Sequence, residues 1–419
     1  MVKPLRETVG VFLFWGMAFW CSFALMDFSH DVFLHRLAQT SANPFLISIE
    51  RAEGVYMYAP DGKVYMDMIS GIGVSAIGHR HPHVVNAIKS QVDKHLHVMV
   101  YGEYVQSVSN QLAAKLTSLL PSALNCAYFV NSGTEANEAA LKLAKRITGR
   151  TEIISFRKSY HGSTHGSLSV SGNEIKKQAF RPLLPDVRFL NFNKPDELNQ
   201  ITARTACVIM ETIQGDAGVR VPDKRYMQAV RKRCTEVGAL LILDEIQCGM
   251  GRTGKWFAFE HFDIVPDILT IAKAFGGGLP IGAFISSERS MYELTHNPML
   301  GHITTFGGNP VCCASALATL QVIENEKLLE QVETKGKLIE SLIQHPKIKS
   351  VRRIGLLFAF DFENDEIVNR IVNYAKEHGV ICYWFLSHPY SFRIAPPLTI
   401  TESEIKKACE TILRAIDQA

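Results

Sequence analysis

The sequence predicts an α/β fold: a mainly parallel central sheet with helices on both faces, plus a smaller α+β domain built from the N- and C-terminal parts. Three observations carry this. Short apolar runs at 127–130, 152–156, 187–190, 207–211, 240–244, 268–272 and 281–286 alternate with helical patterns, the arrangement that lays down parallel strands joined by helices. After Pro310 the texture changes to a long helical stretch, 310–325, followed by alternating strand and helix pieces. Finally, 419 residues are more than a single hydrophobic core usually serves.

The elements follow in order. Residues 8–26 contain no charged side chain and follow Lys3 and Arg6; their 19 residues (26 − 8 + 1) match the roughly 17–25 that span a bilayer. A signal anchor, or an export signal cut near Ser22-Phe23-Ala24, is one reading. The preferred expectation is a start at Met26, before the amphipathic stretch 28–40, in a cytoplasmic protein. Val55–Ile69, turning at Pro60-Asp61-Gly62, reads as a hairpin. The run 127–130 leads through Asn131-Ser132-Gly133-Thr134 into a helical stretch, Glu135–Arg146. Glu152–Phe156 precedes Tyr160-His161-Gly162. Cys207–Met210 ends in Glu211, Leu240–Leu243 in Asp244, and Ile268–Ala272 in Lys273. Glu402–Ile416 closes the chain as a helix. The expected division is 1–26 as a separate apolar segment, 27–77 and 311–419 as the small domain, and 78–310 as the large one.

Composition excludes some classes of function. Net charge is +3 and no basic stretch is interleaved with aromatics, which gives no reason for a nucleic-acid partner. Nine cysteines are scattered without a C-x-x-C pair, as in a reduced chain lacking structural zinc. His79 and His81 have Pro82 directly after them and no acidic or cysteine neighbour, so they read as loop residues and no metal is expected.

The chemistry converges on two strand ends. A lysine attacks a carbonyl only as the free amine, which needs apolar surroundings or a nearby cation. Ile268, Leu269, Ile271, Ala272 and Phe275 supply apolar neighbours to Lys273, and Gly276-Gly277-Gly278 lets the backbone pass close to a ligand. An opposite charge beside a carboxylate favours its ionised form, so Asp244 suits a protonated ring nitrogen. Amine and acid together are what pyridoxal 5'-phosphate chemistry requires. The Ser132-Gly133-Thr134 turn at a helix start offers backbone N–H groups and the positive dipole end to an anion.

Asp244-Glu245-Ile246-Gln247-x-Gly249-x-Gly251-Arg252-Thr253-Gly254, followed by Lys273, resembles the signature of the class III aminotransferases, the acetylornithine, ornithine and 4-aminobutyrate type. So do Gly78-His79-x-His81-Pro82, Asn131–Asn137, Tyr160-His161-Gly162, Glu211-x-Ile213-Gln214-Gly215, Thr305–Pro310 and Arg393–Pro397. The resemblance runs from about Asn43 to the C-terminus and implies fold type I. It implies that Lys273 carries the cofactor and moves the proton, and that Asp244 holds the ring nitrogen. Ser132, Gly133 and Thr134 would bind phosphate, joined by Thr305 reaching a neighbouring subunit, hence a homodimer with shared sites. Tyr160 would lie on the ring, Gln247 near its phenolic oxygen, and Glu211 in the active site. Arg393 would receive the carboxylate of 2-oxoglutarate or glutamate, with Asp216 at the gateway position.

This chain departs from the pattern at several positions. Ser163 stands where many members have an arginine that grips the donor's carboxylate, and a hydroxyl is a poor substitute for a guanidinium. Asp216 replaces the gateway glutamate, Thr212 a proline and Cys248 a threonine. The expected activity is transfer of an amino group, the ω-amino group of an acetylornithine- or ornithine-like donor, to 2-oxoglutarate. Alternatives are a diamine or other ω-amino donor, or an aminomutase of the same fold.

Overall fold

The computed structural model describes residues 29–100 and 102–419. The apolar segment 8–26 lies outside them, and among the described residues no helix is long and apolar enough to cross a membrane. Residues through Glu50, with Ala59–Asp61, make up one unit. Its described part includes a helix over 29–36 and a hydrogen bond between His30 Nε2 and Ser48 Oγ at 2.9 Å. The remainder, Arg51–Tyr58 and Gly62–Ala419, forms the second unit and holds everything that follows.

This unit opens with β1 (Arg51–Glu53), β2 (Tyr56–Tyr58) and β3 (Val64–Asp67). β2 and β3 are the hairpin read in the sequence, with Tyr56 opposite Met66. The next strands are β4 (Cys126–Val130), β5 (Glu152–Phe156), β6 (Val187–Leu190), β7 (Thr205–Glu211), β8 (Leu240–Asp244), β9 (Ile268–Ile271) and β10 (Gly282–Ser286). They form a seven-stranded sheet in the order β4-β10-β9-β8-β7-β5-β6. Only β10 runs against its neighbours. β7 is buried at every position, as strands covered on both faces must be, which is why it reads as a continuous apolar run.

The helix Gly133–Thr148 covers one face of this sheet. It is capped by Ser132, whose hydroxyl accepts from Glu135 N, and ends on left-handed Gly149. Its inward stripe of Ala136, Ala139, Ala140, Leu143 and Ala144 packs on Ile153, Ile209, Ile242, Ile268 and Phe284. The small alanines bring the helix axis close to the strands, so its N-terminus reaches the same sheet edge as the strand ends.

The chain continues with β11 (Ser350–Ile354), β12 (Leu357–Asp361), β13 (Val380–Ile381), β14 (Tyr383–Trp384) and β15 (Ser391–Ile394). The antiparallel sheet β11-β12-β15-β14 carries Phe358, Phe360 and Phe392, with Phe360 and Phe392 stacked 5.2 Å apart. β13 instead joins β3 in parallel, Val380 beside Met66, so both ends of the unit contribute to one small sheet. Directly after β3, Ser70, Gly71, Ile72 and Gly73 are all left-handed, with φ of 49°, 56°, 64° and 82°. For residues with a Cβ this costs roughly 1–2 kcal/mol each.

Phe284, fully buried and stacked 5.1 Å from Tyr128, measures the strength of the core. Phe284→Ala is expected to lower the unfolding free energy by about 3–5 kcal/mol in a urea titration.

Candidate active site

Parallel pairing brings the site together. Glu211 ends β7 directly beside Asp244 at the end of β8, and Asp244 pairs with Thr270 of β9, three residues before Lys273. Three adjacent strands thus deliver two carboxylates and an amine to their carboxyl ends, where open α/β sheets place ligands. A cavity of about 500 Å³ opens there. Ser132, Gly133, Thr134, Tyr160, Glu211, Asp244, Gln247 and Lys273 all line it, as do Val74, His161, Ser163, Ile213 and Ile246.

Asp244 is 4 % exposed and fully engaged. Its Oδ2 accepts from Asn137 Nδ2 at 2.8 Å and from His161 Nδ1 at 2.8 Å, and its Oδ1 accepts from Ile246 N at 3.0 Å. Asn137 is oriented in turn by Thr270 Oγ1, which donates to its Oδ1 at 2.8 Å. Donors on this side fix the carboxylate plane and leave it facing the cavity. A buried charge is tolerated only with such partners.

The Gly133–Thr148 helix begins at the cavity too, Gly133 lying against Ile246. Its first backbone N–H groups have no partner within the helix, and its dipole favours negative charge there. Thr134 Oγ1 lies 2.6 Å from Thr164 Oγ1, which donates to Glu138 Oε1 at 2.6 Å, so the hydroxyl is held in place. Gly162 packs against it: a Cβ at 162 would stand 2.3 Å from Thr134 Oγ1. Gly215 makes the same allowance for Gln247, whose Oε1 would be 2.0 Å from a Cβ. A helix start of this kind offers backbone N–H groups to an anion.

Lys273 lies in the left-handed region, φ 48°, and part of its surface opens on the cavity. Strain of this kind persists where surrounding structure over-determines it. Burial pulls its ammonium pKa below the usual 10.5, and Arg393 adds to this, while Asp244, Glu211 and Asp216 oppose it. Glu211 moves the other way. Burial, then the charge of Asp244, push its carboxyl well above the ordinary range, against hydrogen bonds from Tyr160 N and Gly215 N at 3.0 and 3.1 Å. Tyr160 is 44 % exposed at the cavity, its hydroxyl 3.3 Å from Ser163 Oγ.

Three residues singled out in the sequence stand apart from the cavity lining. Arg393 is 4 % exposed; its Nε and Nη2 donate to Trp384 O at 3.3 and 3.0 Å, and Nη2 lies 3.8 Å from Asp216 Oδ1. Asp216 is held by Leu386 N at 3.1 Å and Ser387 Oγ at 2.9 Å. Thr305 is exposed on the loop before the Pro310–Asn325 helix. Sequence reasoning quoted Asn137 and His161 inside motifs without assigning them a task. The available signal was spacing: Asn137 lies one helical turn beyond Gly133, on the same face.

With a depressed lysine pKa in the folded state, the unfolded chain binds more protons at any pH between that value and 10.5. The stability of the cofactor-free protein therefore rises with pH across this window. Lys273→Met is expected to raise its unfolding midpoint at neutral pH, with the difference from wild type closing as pH approaches 10.5, read by thermal melts across pH.

A family model described as Aminotransferase class-III matches residues 37–416. The chain is 39 % identical over 369 residues to an acetylornithine aminotransferase of Archaeoglobus fulgidus, covering 88 % of this chain and 95 % of that protein. It is 38 % identical over 376 residues to the one of Bacillus subtilis, with the same coverage of 88 % and 95 %. Among solved structures, the ornithine aminotransferase of Toxoplasma gondii superposes with a TM-score of 0.88 at 27 % identity, covering 99 % of this chain and 98 % of that one. A transaminase from the marine bacterium Virgibacillus gives 0.87 at 26 % identity, covering 94 % and 98 %. With a buried acid, a lysine that opens on the cavity and a helix N-terminus assembled at the strand ends, the chain belongs to the class-III aminotransferases and is a pyridoxal-phosphate-dependent transaminase.

Proposed function

We propose that the enzyme moves the ω-amino group of an acetylornithine- or ornithine-like donor to 2-oxoglutarate, using Lys273 as the cofactor-linked amine and proton carrier. The single observation that carries this is the facing pair Lys273 and Asp244 on adjacent strand ends, with Arg393 near enough to act on the lysine's charge. The donor set fits the cofactor: a buried, triply hydrogen-bonded carboxylate for the ring nitrogen, a helix N-terminus for the phosphate, and an amine whose burial favours the nucleophilic free base. When bound, pyridoxal phosphate supplies an electron sink for the carbon that bears the amine.

In this reading the chain's own residues divide the work. Asp244 would keep a proton on the ring nitrogen, and Ser132, Gly133 and Thr134 would hold the phosphate. Tyr160 and Gln247, which both line the cavity, would contact the ring. Lys273 Nζ would be the positioned base that takes the proton from the donor carbon. Glu211, its carboxyl raised above the ordinary range, limits the negative charge beside Asp244. Arg393 receives one carboxylate of the dicarboxylic partner, with Asp216 beside it.

The names of the relatives support an ω-amino donor, since acetylornithine and ornithine each carry one. A homodimer belongs to the same proposal, with Thr305 completing a neighbouring phosphate site; Thr305 is exposed and is not among the residues that line its own chain's cavity, which favours that. So do the domain boundaries 27–77, 78–310 and 311–419, and a cytoplasmic location.

The purified protein should show the visible absorption of lysine-linked cofactor, and L-glutamate should discharge it. A coloured protein unmoved by glutamate would count against the dicarboxylic partner. Lys273→Ala should hold cofactor only reversibly, with turnover near zero; near-wild-type turnover would refute the lysine's role. Arg393→Lys loses planar, bidentate recognition. It should raise KM for 2-oxoglutarate about ten-fold or more, with a smaller change in kcat, measured by steady-state kinetics.

A further inference from the structure

The left-handed turn Ser70–Gly73 includes two residues that carry a Cβ, one of them β-branched. Such a turn opposes the chirality of the backbone, so some group must hold it. That group is Asp67, 1 % exposed. Its carboxylate accepts from Ile69 N at 3.0 Å and Gly71 N at 2.8 Å, and from His79 Nε2 at 2.9 Å. The turn closes through Gly73 N to Ile69 O at 2.9 Å and Val74 N to Ser70 O at 2.8 Å.

Two parts of the active site rest on this turn. On one side a Cβ at Gly73 would stand 4.0 Å from Lys273 Cδ, and the next residue, Val74, lines the cavity. On the other, Ser70 Oγ donates to Ala395 O at 2.7 Å and Ala395 N donates to Met68 O at 2.7 Å, two residues beyond Arg393. Buried Arg252 donates to the following carbonyl, Pro396 O, and lies within the field of Asp67. One strained turn therefore separates the methylene stem of the lysine from the segment that carries the arginine. Neither Asp67 nor Ile72 is among the residues that line the cavity.

We infer that Asp67 is a positioning residue: by holding the left-handed turn 70–73, it sets the distance between Lys273 and Arg393, and with it the dicarboxylic partner that can span them. This rests on Lys273 as the cofactor-linked amine and Arg393 as the carboxylate receptor.

The test uses the full-length, cofactor-loaded enzyme. Asp67→Asn keeps the size of the side chain and removes its charge and one acceptor. The expected result is a retained visible band with a displaced pH titration, and a KM for 2-oxoglutarate about ten-fold higher with kcat less affected. Adding Ile72→Gly to that variant removes the Cβ from the strained position and should return KM towards wild type. Ile72→Gly alone should leave KM unchanged. A lower melting temperature with unaltered KM and band titration would make Asp67 merely structural and overturn the inference, as would failure of Ile72→Gly to rescue. Should Asp67→Asn not fold, Ser70→Ala cuts only the link to Ala395; a KM raised about three-fold supports the inference, and an unchanged KM refutes it. A wild-type enzyme with no visible band, or without turnover of 2-oxoglutarate, would instead overturn the reading of Lys273 and Arg393.

Discussion

The buried charge of Asp244 is the constraint on which the rest depends. A carboxylate at the end of a fully covered strand is costly unless its lone pairs are filled. Here a helix supplies Asn137, a loop supplies His161, and the backbone supplies Ile246 N. Each donor must be delivered by a different element. The alanine-rich face of the Gly133–Thr148 helix, the strand β5 leading to His161, and the turn after β8 are all fixed by that one requirement.

Electrostatics in the cavity follow from strand register. Burial, and then the like charge of Asp244 beside it on the neighbouring parallel strand, drive Glu211 towards its neutral form. The same burial drives Lys273 towards its neutral form. One effect removes a negative charge and the other a positive one, so fewer charges stand in the cavity while its net charge stays the same. Arg393 is not among the residues that line the cavity and is held by Trp384 O and Asp216. Left-handed backbone occurs both at Lys273, which lines the cavity, and at Ser70–Gly73, directly before the lining residue Val74.

Much of this was legible in the sequence. The apolar runs ending in Glu211, Asp244 and Lys273 became β7, β8 and β9 because parallel strands covered on both faces must be continuously apolar and expose function only at their ends. Ser132-Gly133-Thr134 became a helix start because a hydroxyl N-cap followed by helix formers has a local cause. Less legible was the placement of Arg393, more than a hundred residues after Lys273. Its position depends on β15 pairing with β12, on the Ala395 N bond to Met68 O and on the Ser70 hydroxyl bond to Ala395 O, none of which leaves a local pattern.

The sequence by itself determined which groups are available: one lysine after a strand, a carboxylate before a glycine-rich loop, a hydroxyl-bearing turn at a helix start, a late arginine, and a serine directly after Tyr160-His161-Gly162. Those are chemical identities and short-range periodicities, which need no knowledge of distant contacts. Only the tertiary structure decided that Asn137 and His161 serve Asp244, that Asp216 is held by the 386–387 backbone and hydroxyl, and that Asp67 braces a left-handed turn between lysine and arginine. The reason is physical. Burial and hydrogen-bond satisfaction are summed over groups far apart in the chain, and a side chain's task is set by whichever partner the packing brings within about 3 Å.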